Sequence, residues 1–180
     1  MAKKPDSRKP DIVIRFRTRS EEETFQVGRE LAGILTPPAI LLVKGELGAG
    51  KTALIKGLGE GLGILRYLVR SPAFLTALRY PGPIPLLHLD LYRKNTPHPE
   101  LIEEVLSFEG IVAAEWGERM EQPLKERGVP FLRIEIRKGK REEDRWISFQ
   151  GEGEILQKLR QLQKRKGWRQ KGRGNEFPRY

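Results

Sequence analysis

Eight residues constrain this chain more than any others: Gly45-Glu46-Leu47-Gly48-Ala49-Gly50-Lys51-Thr52, which fit the pattern G-x-x-x-x-G-K-[ST] at every position. The setting matters as much as the pattern. Ala39-Ile-Leu-Leu-Val43 precedes the loop as a short, uniformly apolar run. Such a run suits a central parallel strand covered on both faces. After the loop, a helix is expected from about Lys51 to Leu62. A strand, a glycine-rich loop and a helix in this register wrap a polyanion with backbone N–H groups, because Gly45, Gly48 and Gly50 add no Cβ to obstruct the approach. The helix contributes the positive end of its dipole. Lys51 reaches the terminal phosphates, and Thr52 offers a hydroxyl to Mg²⁺. A plain glycine-rich turn is the alternative, and the full register argues against it. The expected ligands are ATP or ADP with Mg²⁺.

A metal held by such a threonine usually has an acid at the end of a neighbouring strand as second anchor. Two positions qualify. Asp90 ends Leu86-Leu-His-Leu-Asp90, and Glu115 ends Ile111-Val-Ala-Ala-Glu115. In an open α/β sheet both would deliver their carboxyl ends to the ligand crevice. One acid could hold the metal while the other orients the attacking water; spacing leaves the two jobs open. Each could also be a helix cap or a surface charge.

The rest of the chain supplies the scaffold. Ile12-Val-Ile-Arg-Phe-Arg17 alternates as a half-buried strand, and Ser20 with Glu23 forms a capping box opening a helix through Phe25, Val27, Leu31, Ile34 and Leu35. Glu100 to Phe108 reads as helical. Phe131-Leu-Arg-Ile-Glu-Ile-Arg137 and Arg145-Trp-Ile-Ser-Phe149, joined by charged residues, predict an antiparallel hairpin. Leu156, Leu159 and Leu162 predict a closing helix. The fold class is α/β: a three-layer P-loop NTPase fold with a mixed, mostly parallel sheet and an antiparallel C-terminal hairpin.

Charge divides this chain of 180 residues into three parts. The net +10 resides at the ends: residues 1–10 carry +3 and residues 157–180 carry +8, leaving −1 for the rest. The expected organisation is a basic flexible N-terminus over 1–10, a P-loop domain over 11–163 and a basic, disordered tail over 164–180. The tail mixes cations with Trp168, Phe177 and Tyr180. Its composition favours a solvated end, with RNA contact as the alternative. No run of about 18 apolar residues is present, so no membrane span is expected. The polar start argues against a secretory signal. With no cysteine there are no disulfides, which fits a reducing cytoplasm. No His/Cys/Asp/Glu cluster has zinc spacing.

The order of segments resembles the TsaE (YjeE) family, the small ATPase of bacterial tRNA threonylcarbamoyladenosine biosynthesis. The resemblance runs from about Thr18 to Phe149. It rests on the phosphate loop, Gly61-Leu-Gly63, Ser71-Pro-Ala-Phe74, His88-Leu-Asp-Leu-Tyr-Arg93 and Glu115-Trp116. His-x-Asp-x-Tyr-Arg followed about two dozen residues later by Glu-Trp is the specific part. The resemblance implies weak Mg-dependent ATPase activity supporting TsaB and TsaD homologues in N6-threonylcarbamoyladenosine modification of tRNA, in the cytoplasm. It also implies that Glu115 joins Thr52 at the magnesium, that Lys51 and Asp90 serve hydrolysis, and that Trp116 lies beside the site. Ser71 and Pro72 fall on a switch-like loop. The chain departs from the family where Ala73 replaces a usual threonine, Gly117 a frequent proline and Lys94 a frequent leucine. The usual leucine-glycine before the Glu-Trp strand is also missing. Thr76 could supply the hydroxyl that Ala73 lacks.

Other residues have plainer readings. His88, alone in a strand, reads first as a hydrogen-bonded packing residue and through the resemblance as a neighbour of the site. Tyr92 and Arg93 either build a polar network around Asp90 or cap the strand end. Trp116 is a core or rim aromatic if it is not functional. The start of the first helix near Ser20 and the segment around Arg145 are candidate neighbours of an adenine. No arginine finger is legible. Two rival functions, a small-molecule kinase and a nucleotide-switched RNA-binding protein, lack a readable lid and a readable RNA element inside the domain.

Overall fold

The computed structural model describes residues 13–72, 76–93 and 97–166. The basic N-terminus, Ala73, Phe74, Lys94 and the tail from residue 167 lie outside the described residues, so the readings placed on them stay as expectations.

Among the described residues, seven strands form one sheet in the order β1-β7-β6-β2-β5-β4-β3. They are β1 (Val13–Thr18), β2 (Ala39–Lys44), β3 (Ala77–Tyr80), β4 (Leu86–Asp90), β5 (Ile111–Glu115), β6 (Leu132–Lys138) and β7 (Arg145–Gln150). The centre, β6-β2-β5-β4, is parallel throughout. Antiparallel pairs close both sides: β6 with β7 and β7 with β1 on one, β4 with β3 on the other. The mixed sheet and the C-terminal hairpin are as expected.

Side-chain alternation sorts this sheet into two faces. On one, Leu41, Val43, Leu86, Ile111, Ala113, Ile134, Ile136, Ile147 and Phe149 meet α1 (Glu21–Ala32), α2 (Lys51–Gly61) and α5 (Glu154–Arg165). On the other, Ile40, Leu42, Leu87, Leu89, Val112 and Ala114 meet α3 (Pro99–Ser107) and α4 (Glu121–Glu126). The uniformly apolar strands are those with helices on both faces, as water exclusion from both sides requires. Their period of two also has a functional consequence. His88, Asp90 and Glu115 share parity with Leu86, Ile111 and Ala113, so all three lie on the α2 face.

Local chemistry sets the element ends. Ser20 Oγ accepts the Glu23 N–H at 3.1 Å, as the capping box requires, but Glu23 Oε2 takes the N–H of Arg19 rather than that of Ser20. Ile34 and Leu35 fall beyond the end of α1 and still pack on the core. α5 buries Leu156, Leu159 and Leu162 and continues through Arg165, one residue past the expected onset of the tail. Lys166 Nζ then pairs with Glu30 at 2.6 Å. Four short stretches escaped the sequence pattern: β3, the 3₁₀ turn over Gly117–Met120, α4 and the loop over 64–70 that buries Val69. Each is too short to display a period.

Arginine–carboxylate pairs fasten the periphery. Arg133 grips Glu121 through Nε at 2.6 Å and Nη2 at 2.7 Å, and Arg17 reaches the Asp144 carboxylate at 2.7 Å. These hydrogen bonds hold both carboxyls below their usual range. Because the folded values are lowered, the stabilisation is complete above the unfolded carboxylate range and is lost as pH falls through the lower folded values. Thermal melts should therefore hold steady down to about pH 4.5 and decline below it. Glu121→Gln should lower the melting temperature near neutrality and shrink that acid decline. An unchanged acid slope in this variant would show that the pair contributes nothing.

Among the described residues no helix is long and apolar enough to cross a membrane.

Candidate functional site

The loop after β2 is held open by its own glycines. A Cβ on Gly45 would come within 2.6 Å of the Ile136 carbonyl oxygen in β6, so only glycine lets the chain leave β2 there. Gly48 (φ 72°) and Gly50 (φ 102°) occupy the left-handed region. Gly50 caps α2 and Ala49 is fully buried, so the first N–H groups of α2 face the concavity with no side-chain cap competing for them.

Lys51 is 5% exposed despite its charge. Its Nζ donates to Gly45 O at 2.7 Å and Glu46 O at 2.8 Å, and lies 4.2 Å from the centre of the Trp116 ring. Burial lowers its pKa, while the negative charges of Glu115, Asp90, Glu118 and Glu46 pull it back up. The ammonium thus sits buried among fixed acceptors beside the loop backbone.

Glu115 is the hub of the acidic side. Its Oε1 accepts the Thr52 hydroxyl at 2.7 Å and contacts His88 Nε2 at 3.0 Å. A carboxylate can only accept, so the His88 proton sits on Nε2. His88 is fully buried and its Nδ1 has no hydrogen-bond partner. The histidine is therefore both a packing residue and the support that aims Glu115. Asp90 lies opposite Glu115 in the β4–β5 register. Its Oδ2 accepts from Ser71 Oγ at 3.1 Å and its Oδ1 from the Tyr92 N–H at 2.9 Å. One oxygen is thereby tied to the segment after α2 and the other to the β4 turn.

The remaining positions divide. The Tyr92 ring packs on Trp116 at 4.9 Å, and Trp116 itself takes a left-handed φ of 56°. Arg93 is exposed, and Pro72 is buried with its carbonyl accepting the Thr76 N–H. Thr76 meets Asp90 through its backbone carbonyl, which takes the Asp90 N–H at 2.9 Å. Gly117 presses on Leu42, where a Cβ would approach its Cα to 2.6 Å. Arg145 lies beside the loop backbone. Glu118, which sequence pattern did not single out, adds a third carboxylate near Lys51, and its Oε2 is buried without a partner. Only its position two residues past the Glu-Trp pair could have flagged it.

The oxygen donors Thr52 and Glu115 suit a hard cation, and among the described residues no cluster of three or more His, Cys, Asp or Glu could cage a metal. Mg²⁺ fits that combination, since it keeps several waters and takes few protein ligands beside substrate phosphates. A cleft of about 650 Å³ lies at the other end of the strands, bordered by Pro38, Phe131, Gln150 and Ile155, and includes none of these residues.

Comparison with known proteins identifies the family and the fold. The family model described as "Threonylcarbamoyl adenosine biosynthesis protein TsaE" matches residues 18–147. The chain is 34% identical to the Bacillus subtilis tRNA threonylcarbamoyladenosine biosynthesis protein TsaE over 81% of its own length and 90% of the relative's. It is 47% identical to the Synechocystis protein of the same name, over 55% of this chain and 67% of that one. The crystal structure of Bacillus subtilis YdiB superposes with a TM-score of 0.69 at 29% identity, over 89% of this chain and 99% of that one. On sequence and fold together, this chain belongs to the TsaE family.

Proposed function

We propose that the chain binds ATP with Mg²⁺ at the Gly45–Thr52 loop and hydrolyses it slowly to ADP and phosphate. The activity would support threonylcarbamoyladenosine modification of tRNA alongside TsaB and TsaD homologues in the cytoplasm. The observation that carries this reading is the junction of the loop with the acidic strand ends: Thr52 Oγ1 on Glu115 Oε1, with Asp90 beside it in register.

The loop amides and Lys51 Nζ would bind the β- and γ-phosphates and draw charge from them. Thr52 Oγ1 and the Glu115 carboxylate would hold a magnesium ion, which would supply charge neutralisation for the terminal phosphates. His88 keeps Glu115 in its rotamer. Asp90, with one lone-pair direction on each oxygen already engaged, presents the others to the attacking water and orients it. Trp116 covers the Lys51 ammonium and would shield it from bulk water, which would strengthen its field at the phosphates. No arginine finger is legible in the sequence, so slow turnover that partners would accelerate is expected.

Phosphate release measured with Mg-ATP, first alone and then with TsaB and TsaD homologues plus tRNA, tests this. A low basal rate that rises in the full mixture is expected. Asp90→Ala should keep nucleotide affinity while losing turnover by roughly 10²-fold or more. If affinity falls together with turnover, Asp90 anchors the metal or the fold instead. Calorimetry that detects neither ATP nor ADP binding at saturating Mg²⁺ removes the proposal.

A further inference from the structure

The C-terminal hairpin reaches the phosphate loop through two side chains: Lys138 Nζ lies 3.8 Å from the Glu46 carboxylate, and Arg145 holds the loop backbone. Arg145 opens β7, opposite Lys138 at the end of β6, and its parity with Ile147 and Phe149 aims it at the α1–α2 face of the sheet. Its Nε donates to Ala49 O at 2.9 Å and its Nη2 to Gly48 O at 3.1 Å. Its Nη1 donates back to its own turn, to Glu142 O at 2.5 Å and Asp144 O at 2.8 Å. Every one of these acceptors is a main-chain carbonyl.

We propose that Arg145 is a positioning residue for nucleotide binding, a brace that fixes the peptide planes at Gly48–Gly50 so that the loop is ready for phosphate. The inference rests on the nucleotide reading above. Its physical basis is the planarity of the trans peptide, which points C=O and N–H in opposite directions. Drawing Ala49 O outward to the guanidinium turns the Gly50 N–H towards the concavity. Drawing Gly48 O outward leaves the Ala49 N–H to meet Glu46 O at 3.1 Å, which closes the tip of the loop. These planes join Gly48 and Gly50, the two loop residues with positive φ and the widest conformational freedom. Without a tie they would sample many arrangements, of which few converge on an anion. A planar fork suits two adjacent carbonyls, as a single ammonium does not.

The brace is rooted on the other side as well. The Gly139 N–H donates to Asp144 O at 2.8 Å, the Asp144 N–H to Arg141 O at 3.1 Å, and Arg17 holds the Asp144 carboxylate. Arg145 therefore links a closed turn on β6–β7 to a loop 96 residues away. Linkage makes the effect reciprocal: what the turn does for the nucleotide, the nucleotide does for the turn.

Titration of Mg-ADP into the full-length protein separates a brace from a bare positive charge. Arg145→Lys keeps the charge and loses the fork, Arg145→Gln loses both, and Lys140→Gln removes an exposed charge from the same turn. If the unbraced loop is competent in about one-tenth of molecules, the apparent Kd rises about tenfold. Arg145→Lys and Arg145→Gln should both show that loss, and Lys140→Gln should stay within about twofold. KM for ATP should rise in parallel, with kcat changing less. Near wild-type affinity in Arg145→Lys overturns the brace and leaves only electrostatics. Amide exchange on the wild-type chain gives a check that needs no variant: Mg-ADP should slow exchange over residues 139–145 as well as in the loop. Protection confined to the loop overturns the coupling. Absence of any ADP binding by the wild type is a different failure, since it removes the nucleotide reading first and this inference with it.

Discussion

Lys51→Ala should leave a folded protein in which the proposed ATP turnover is lost: phosphate release is expected to fall by roughly 10²–10³-fold. The size of the effect follows from where the ammonium sits. It is buried, held by two loop carbonyls and covered by the Trp116 ring, so little water screens its field. Lys51→Arg should fail nearly as badly. A guanidinium is larger and flatter than the space between Gly45 O, Glu46 O and the indole, so retaining the charge does not retain the geometry. The fold should survive, because burial disfavours the charged lysine and its removal relieves a desolvation cost. Phosphate release and a melting curve on the same preparation check both halves. Undiminished turnover in Lys51→Ala would place the chemistry elsewhere.

The second large effect is on stability. Gly57→Ala should cost about 3 kcal/mol or more, although alanine is worth about 1 kcal/mol more than glycine in a helix interior. A Cβ at Gly57 in α2 would stand 1.8 Å from the Phe25 carbonyl oxygen, and one at Gly28 in α1 would stand 1.9 Å from Leu54 O. Both obstacles are backbone, so no rotamer change makes room and the two helices must separate. At about 2–4 °C per kcal/mol for a domain of this size, the melting temperature should fall by roughly 6–12 °C. Gly33→Ala is the control. Its Cβ would lie 3.5 Å from the nearest atom, and its φ of −71° suits any residue, so its melting temperature should scarcely move. Equal effects at the two positions would mean that loss of glycine flexibility, rather than helix contact, governs stability. The same contact bears on function, since α2 carries Lys51 and Thr52 and a tilt at Gly57 would carry into the phosphate loop.

His88 shows what a sequence can and cannot convey about such a site. Its place in a buried strand was legible from Leu87 and Leu89, and a hydrogen-bonded packing role follows from that. Its partner was not legible, because Glu115 lies 27 residues away and is brought to 3.0 Å by parallel pairing of β4 with β5. The two acids at strand ends illustrate the same division. Each was visible as the polar end of an apolar run, yet their separate engagements, Glu115 with Thr52 and Asp90 with Ser71 and Tyr92, depend on which strands are neighbours. The structure also trims one expectation. The reciprocal capping box is half made, because the Glu23 carboxylate reaches one residue further back than the motif implies.

The proposed phosphate site was legible from local spacing alone. Strand, glycine turn and helix are adjacent in sequence, so the anion nest assembles from one short segment, and its glycines announce the backbone shapes it needs. Tertiary structure decided everything that crosses the sheet: the order of the strands, the meeting of α1 and α2 at bare glycines, the choice of Glu115 for Thr52, and the reach of Arg145 to Gly48 and Ala49. Those contacts join residues tens of positions apart through packing and register. No periodicity within one segment encodes its neighbour, because the free energy that selects the neighbour comes from burying both together.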